Sequence, residues 1–232
     1  WKRLSEADSG AVDMETLIKG ICDNKNFMDI FENFIAFDDS SGKQIKVLAQ
    51  NHQYLGVNQV IKALNDPKRI KGKLGVFWHT QGAGKSYSMV FFTAKVHRKI
   101  GGNYTFLICT DREDLDTQIY KTFAGCGIAD NDKNPCRPKS GKHLAQLMTH
   151  HKAYIFTTVQ KFNREVNQNE GYTKRNDIIV ITDEAHRTQY GILALNMRDA
   201  LPNANFIGFT GTPLFKNDEI TSQVFGEYVS TY

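Results

Sequence analysis

The stretch that decides the fold of this 232-residue chain is Leu74-Gly75-Val76-Phe77-Trp78-His79-Thr80-Gln81-Gly82-Ala83-Gly84-Lys85-Ser86. Leu74–Trp78 is a short apolar run of the kind that forms a strand buried on both faces. The residues after Ser86 have the apolar spacing of a helix, so the glycine-rich segment joins a strand to a helix. Gly82 and Gly84 allow backbone angles that turn successive N–H groups inward, and the N-terminus of the following helix adds partial positive charge. A polyphosphate can be held there by backbone dipoles. At this spacing Lys85 reaches the β- and γ-phosphates, and the Ser86 hydroxyl is available to Mg²⁺. The pattern departs from G-x-x-x-x-G-K-[ST] at its first position, where His79 stands in place of glycine.

Working outward, four more apolar runs of similar length follow: Thr105–Cys109, Tyr154–Thr157, Ile178–Thr182 and Phe206–Phe209. The segments Ser86–Arg98, Leu115–Phe123, His143–His150 and Ile192–Leu201 read as crossover helices between them. Strand and helix alternate, which predicts an α/β domain: a doubly wound, mostly parallel sheet with helices on both faces. Upstream, Met14–Cys22 and Asn26–Phe34 read as two short amphipathic helices, the first capped by Asp13. A polar turn at residues 38–43 and an apolar stretch from Ile45 to Ala49 come next. Residues 1–45 are therefore read as a helical lead-in segment from a domain boundary, and residues 46–232 as the domain itself. Gly125–Lys142 reads as a polar surface loop.

The run Ile178–Thr182 carries Asp183 and Glu184 to the C-terminal edge of the sheet, where open α/β sheets bind their ligands. Asp183 is placed to hold Mg²⁺ through water, and Glu184 to act as the base that positions the attacking water. Phe206–Phe209 runs into Thr210-Gly211-Thr212-Pro213, where the proline forces Thr212 to be extended.

Composition excludes several classes. Hydrophobic residues are 41% and charged residues 23% of the chain, the balance of an ordinary globular domain. No apolar run approaches the roughly 18 residues of a membrane span, and no leader pattern opens the chain, so a cytoplasmic location and no membrane partner are expected. The net charge of +4 is too small to name a partner. Cys22, Cys109, Cys126 and Cys136 include no C-x-x-C pair and read as free thiols. A zinc site drawn from Cys126, Cys136 and the nearby histidines fits no common spacing.

In this order the phosphate loop, the Asp183-Glu184-Ala185-His186 box and Thr210-Gly211-Thr212-Pro213 resemble motifs I, II and III of superfamily 2 helicases and translocases. A narrower resemblance covers nearly the whole chain. His79-Thr80-Gln81-Gly82, Thr110 to Gln118, Asp183 to Arg187 and Phe209 to Leu214, together with Phe34-Ile35-Ala36-Phe37 and His52-Gln53-Tyr54, resemble the motor subunit of type I restriction enzymes. The resemblance implies the first RecA-like lobe of a P-loop NTPase motor, with ATP and Mg²⁺ as cofactors. It implies that Gln53 reads adenine, that Thr80, Gln81, Gly82, Ala83, Gly84, Lys85 and Ser86 hold the phosphates, and that Ser86 and Asp183 hold the metal. Lys85, Asp183, Glu184 and His186 become the catalytic set, and Thr210, Gly211 and Thr212 couple hydrolysis to movement. Arg112, Thr157, Thr158 and Lys161 become contacts to the DNA backbone.

The implied partners are double-stranded DNA and the methyltransferase and specificity subunits of a restriction complex. The strand ending at Thr210 is implied to lie between the phosphate-loop strand and the Asp183 strand. A second lobe and a nuclease domain are expected outside this chain, which by itself would bind nucleotide without translocating or cutting. Two other readings remain: a different superfamily 2 helicase, disfavoured by the extended motif match, and a nucleotide-sensing module without turnover, disfavoured by the presence of a general base.

Overall fold

The computed structural model describes residues 1–10, 12–66, 72–129, 136–162, 171–183, 188–212 and 219–232. Glu184, Ala185, His186, Arg187, Pro213 and Leu214 lie outside them, as do residues 130–135 of the expected polar loop.

Six parallel strands form the central sheet: β3 (Lys73–Trp78), β4 (Thr105–Thr110), β5 (Tyr154–Thr158), β6 (Ile178–Asp183), β7 (Asn205–Thr210) and β8 (Tyr228–Thr231). Their spatial order is β5-β4-β6-β7-β3-β8. β4 and β5, and β6 and β7, are neighbours both in sequence and in the sheet, while the steps β3 to β4, β5 to β6 and β7 to β8 pass over other strands; each parallel connection needs a crossover. β7 lies between β3 and β6 as expected, with Trp78 opposite Thr210 on one side and Asp183 opposite Phe209 on the other.

Both faces of the sheet are covered, and the strands divide their side chains between two cores by simple alternation. Phe106, Ile108, Ile179, Ile181, Ile207 and Phe209 point to one face, where they meet α3 (Asn51–Asn65), α4 (Lys85–Lys95) and α5 (Glu113–Gly125). Leu107, Cys109, Ile178, Val180 and Phe206 point to the other, against α6 (Gly141–Met148), α7 (Thr188–Ala200) and α8 (Glu219–Phe225). β4, β6 and β7 are buried at every position, and the edge strand β5 at every position but Tyr154, which is half-buried. This explains why they read as continuous apolar runs rather than alternating ones.

The first 48 residues form α1 (Met14–Ile21), α2 (Asn24–Asn33) and an antiparallel hairpin of β1 (Ile35–Asp38) and β2 (Ile45–Leu48). Asp13 caps α1 through Thr16 N–H, as its position in the sequence indicates. Ile30 and Phe34 join the same core as α3 and α4, and Lys95 reaches back from α4 to pair with Asp29. No helix among the described residues is long and apolar enough to cross a membrane.

Three parts of the fold were not expected: α3, the β1–β2 hairpin and the final pair α8 and β8. α3 escapes an amphipathic reading because polar His52 and Gln53 and the small Gly56 are among its buried residues. β8 is a four-residue edge strand with Tyr228 exposed, so it has no apolar run to announce it.

Candidate nucleotide and DNA site

The segment between β3 and α4 has the backbone expected of a phosphate cradle. Gly82 and Gly84 both hold positive φ, at 80° and 75°, and Gly84 is the left-handed N-cap of α4. The left-handed angle at Gly84 is unfavourable for any other residue, and a Cβ there would come within 2.7 Å of the Gln53 amide nitrogen and push that amide off the loop carbonyls it holds. The first N–H groups of α4 have no partner within the helix and are available to an anion.

The loop is held from three sides. Ala83 N–H closes a turn onto Thr80 O at 3.2 Å, and Thr80 N–H donates to Tyr232 O at 2.9 Å. His52 Nε2 donates to Ala83 O at 2.9 Å, and Gln53 Nε2 donates to Gly84 O at 2.9 Å. Gln53 Oε1 accepts from Gln50 N–H at 2.8 Å, so both ends of that amide are engaged by protein. Lys85 Nζ donates to His79 O at 3.3 Å, folded back over the loop it belongs to.

Opposite the loop lies Asp183, buried at the C-terminal end of β6. Gln81, Gly82, Gly84, Lys85, Ser86 and Asp183 line one cleft of about 610 Å³. Its donor set combines backbone N–H groups, an ammonium, a hydroxyl and a carboxylate, which fits a polyphosphate with a hard divalent cation. Ser86 and Asp183 are the residues able to hold that cation.

The far wall of the cleft is supplied by the hairpin and α5. Tyr87 donates its hydroxyl to Asp38 Oδ2 at 2.6 Å, and Ser40 N–H donates to Asp38 Oδ1 at 2.8 Å. Burial pushes the Asp38 carboxyl up, but these hydrogen bonds outweigh it and leave the group below the ordinary carboxylate value. Burial, and then the bond to Asp38, pushes the Tyr87 phenol up. Neither residue stood out in the sequence. Asp38 belongs to an Asp-Asp-Ser-Ser-Gly run that reads as a turn, and only the hairpin brings it to α4.

Thr210 is fully buried at the end of β7, and its carbonyl accepts from His79 N–H at 3.0 Å. Its hydroxyl donates to Thr212 O at 2.9 Å. The Thr-Gly-Thr turn thus lies beside the first residue of the phosphate loop.

The residues expected at DNA fall on the same sheet edge, at the β4 and β5 end. Thr110 and Thr158 are paired in register, and Gln160 Nε2 donates to Asp111 O at 2.7 Å, drawing the turn after β4 and the turn after β5 together. Arg112 caps the start of α5 with its side chain 57% exposed, and Lys161 is half-buried in the 3-10 turn Val159–Phe162. Thr157 and Thr158 are buried, and the Thr157 hydroxyl is turned to Thr158 O at 3.3 Å. The positive groups of this set that reach solvent are Arg112, which is exposed, and Lys161, which is half-buried.

Residues 52–232 match the family model described as the SWI2/SNF2 ATPase. The chain belongs to the SWI2/SNF2 ATPase family. Its matched span opens at His52, so it contains the loop and its two carbonyl-holding residues together. Type I restriction endonuclease subunits are homologues of this chain, in agreement with the motif resemblance. It is 39% identical over its whole length to the type I restriction enzyme HindI endonuclease subunit of Haemophilus influenzae, and 35% identical over 94% of its length to a putative MjaIXP endonuclease subunit of Methanocaldococcus jannaschii. The chain spans 24% and 21% of those two relatives, less than a quarter of either.

Among solved structures, the fold is similar to that of the UvsW helicase from bacteriophage T4, with a TM-score of 0.59 at 15% identity over 88% of this chain and 66% of that one. It is also similar to the Type ISP restriction-modification enzyme LlaGI, solved as a nuclease-deletion mutant with a DNA substrate mimic. That match has a TM-score of 0.54 at 18% identity and covers 79% of this chain and 19% of that one. Both likenesses concern the fold. The parallel six-stranded sheet, with helices on both faces, is a RecA-like sheet.

Proposed function

We propose that this chain is the first motor lobe of a type I restriction endonuclease subunit, using ATP and Mg²⁺ to drive movement along double-stranded DNA. The observation that carries this reading is the shared cleft of Lys85, Ser86 and Asp183 at the strand C-terminal edge, in a chain of the SWI2/SNF2 ATPase family. Residues 46–232 make up the lobe and residues 1–45 lead into it.

Phosphates lie on the N–H groups of Gly82, Gly84, Lys85 and Ser86, with Lys85 released from His79 O to meet the β- and γ-oxygens. Mg²⁺ held between Ser86 and Asp183 would neutralise charge developing on the transferred group. Glu184 takes the proton of the attacking water, and His186 with Thr210, Gly211 and Thr212 links the state of the cleft to DNA. Gln53 stands under the loop, where adenine recognition and loop shape depend on the same amide. Full translocation and cleavage belong to a larger complex that includes methyltransferase and specificity subunits, and the setting is the cytoplasm. A nucleotide-sensing module without turnover would need no base at position 184.

For the DNA arm, Arg112 and Lys161 form a backbone-tracking patch that reads no bases. Each lost phosphate contact is expected to lower the slope of log K against log salt by about 0.9 on duplex DNA. Duplex binding by wild type and an Arg112→Ala, Lys161→Ala double variant, measured over a salt series on two unrelated sequences, checks this. A drop in slope of about 1 to 2, equal for both sequences, is expected; an unchanged slope would leave these residues as solvated surface.

A further inference from the structure

Resting on the nucleotide reading above, we infer that His79 is a positioning residue of the phosphate loop, locked in place by Ser230 and Glu6 so that the loop is already shaped for a polyphosphate. The residue stands where the common loop pattern has glycine, a residue with no side chain to anchor. Here the ring is buried and tied down. His79 Nε2 lies 2.8 Å from Ser230 Oγ, and Ser230 Oγ donates to Glu6 Oε1 at 2.7 Å. Glu6 is paired in turn with Arg3 at 3.2 Å.

The direction of this relay is determined by proton counting. A serine hydroxyl has one hydrogen, and a carboxylate oxygen can only accept. With that hydrogen given to Glu6, Ser230 Oγ must accept from His79, so Nε2 carries the proton and Nδ1 is the bare nitrogen. Nδ1 is buried with no hydrogen-bond partner among the described residues. A second proton there would be buried without an acceptor, and the ring remains neutral: burial first, then the nearby His52, Lys85 and Arg3, pulls its pKa down to about 3.

The ring is also wedged in place, edge-on to Phe77 at 5.1 Å and to His52 at 4.9 Å. His52 stacks on Tyr232 at 3.8 Å, and Tyr232 O holds Thr80 N–H.

The same residue is a junction in the main chain. Its N–H is bonded to Thr210 O, and its carbonyl is the acceptor that holds Lys85. A shift of His79 therefore moves the resting place of the lysine and the register of the loop against β7. An apolar ring of similar size would fill this space without leaving a buried bare nitrogen, so filling space does not account for histidine. Anchoring the loop to β8 and to residues 3–6 does. The benefit is preorganisation: without the anchor, binding has to order the loop as well as contact the nucleotide.

The test uses His79→Gly, Ser230→Ala and His79→Gln, with Mg·ADP affinity by calorimetry and thermal melting for each. His79→Gly restores the common loop pattern, yet it is expected to weaken Mg·ADP binding about tenfold, equivalent to about 1.4 kcal/mol. Ser230→Ala leaves the loop sequence intact and is expected to do the same. His79→Gln keeps a donor at the ε position and is expected to recover most of the affinity. Wild-type affinity from His79→Gly and Ser230→Ala would overturn the inference. So would a glutamine variant that melts like wild type but still binds weakly. If wild type itself fails to bind Mg·ADP, the nucleotide reading falls and this inference with it.

Discussion

Lys85→Ala in the complete subunit is expected to reduce ATP turnover by at least about 10²–10³-fold, the usual loss when one charge-stabilising donor is taken from a transferring group. DNA movement should stop with it. Lys85 is the one cationic side chain that the loop itself brings into the cleft with Ser86 and Asp183, and its ammonium is parked on His79 O within that loop. Removing it takes away charge that no backbone N–H can replace, because those groups supply partial dipoles to a site where a full negative charge moves. Steady-state ATPase of wild type and variant, with thermal melting as a folding control, checks the expectation. Unchanged turnover in a folded variant would contradict the assignment of the loop.

Glu184→Gln separates binding from chemistry. Glutamine keeps the shape and loses the base, so nucleotide affinity should persist while turnover falls by about 10²–10⁴-fold, the range for loss of a general base. The motif places Glu184 one residue beyond Asp183, whose position at the C-terminal end of β6 is described. Nucleotide affinity and single-turnover hydrolysis measured on the same preparation provide the comparison. Equal loss of both would point to damage to the cleft rather than to removal of a base.

The parts of this fold that could be read from sequence are those where burial is uniform. β4, β6 and β7 are covered on both faces, so they appear as unbroken apolar runs, and the loop between β3 and α4 is visible because its two glycines are needed for backbone angles. What escaped depends on partners far away in sequence. α3 buries His52 and Gln53 because carbonyls of residues 83 and 84 are there to receive them, a reason invisible from residues 51–65 alone. Asp38 looked like a turn residue, yet Tyr87 takes it into the wall of the cleft. His79 read as a departure from a pattern until Ser230, 151 positions away, supplied the reason for it.

The candidate site shows the same division. Lys85, Ser86 and Asp183 line one cleft, and Thr210 adjoins the loop through His79. Of the four residues expected at DNA, Arg112 and Lys161 reach the surface, while the β-branched Thr157 and Thr158 are drawn inward with the strand that carries them. Strand propensity and core burial act on a threonine before any ligand does.

The most direct test of the central claim is the binding of a non-hydrolysable ATP analogue to this chain, measured by calorimetry with and without Mg²⁺, in wild type and Asp183→Ala. If Ser86 and Asp183 hold the cation beside the phosphates, wild type should bind at least about tenfold more tightly with Mg²⁺ than without it, a difference of about 1.4 kcal/mol. Asp183→Ala should lose that dependence while keeping the metal-free affinity. Wild-type binding that is indifferent to Mg²⁺, or a variant that responds to it as wild type does, would contradict the account.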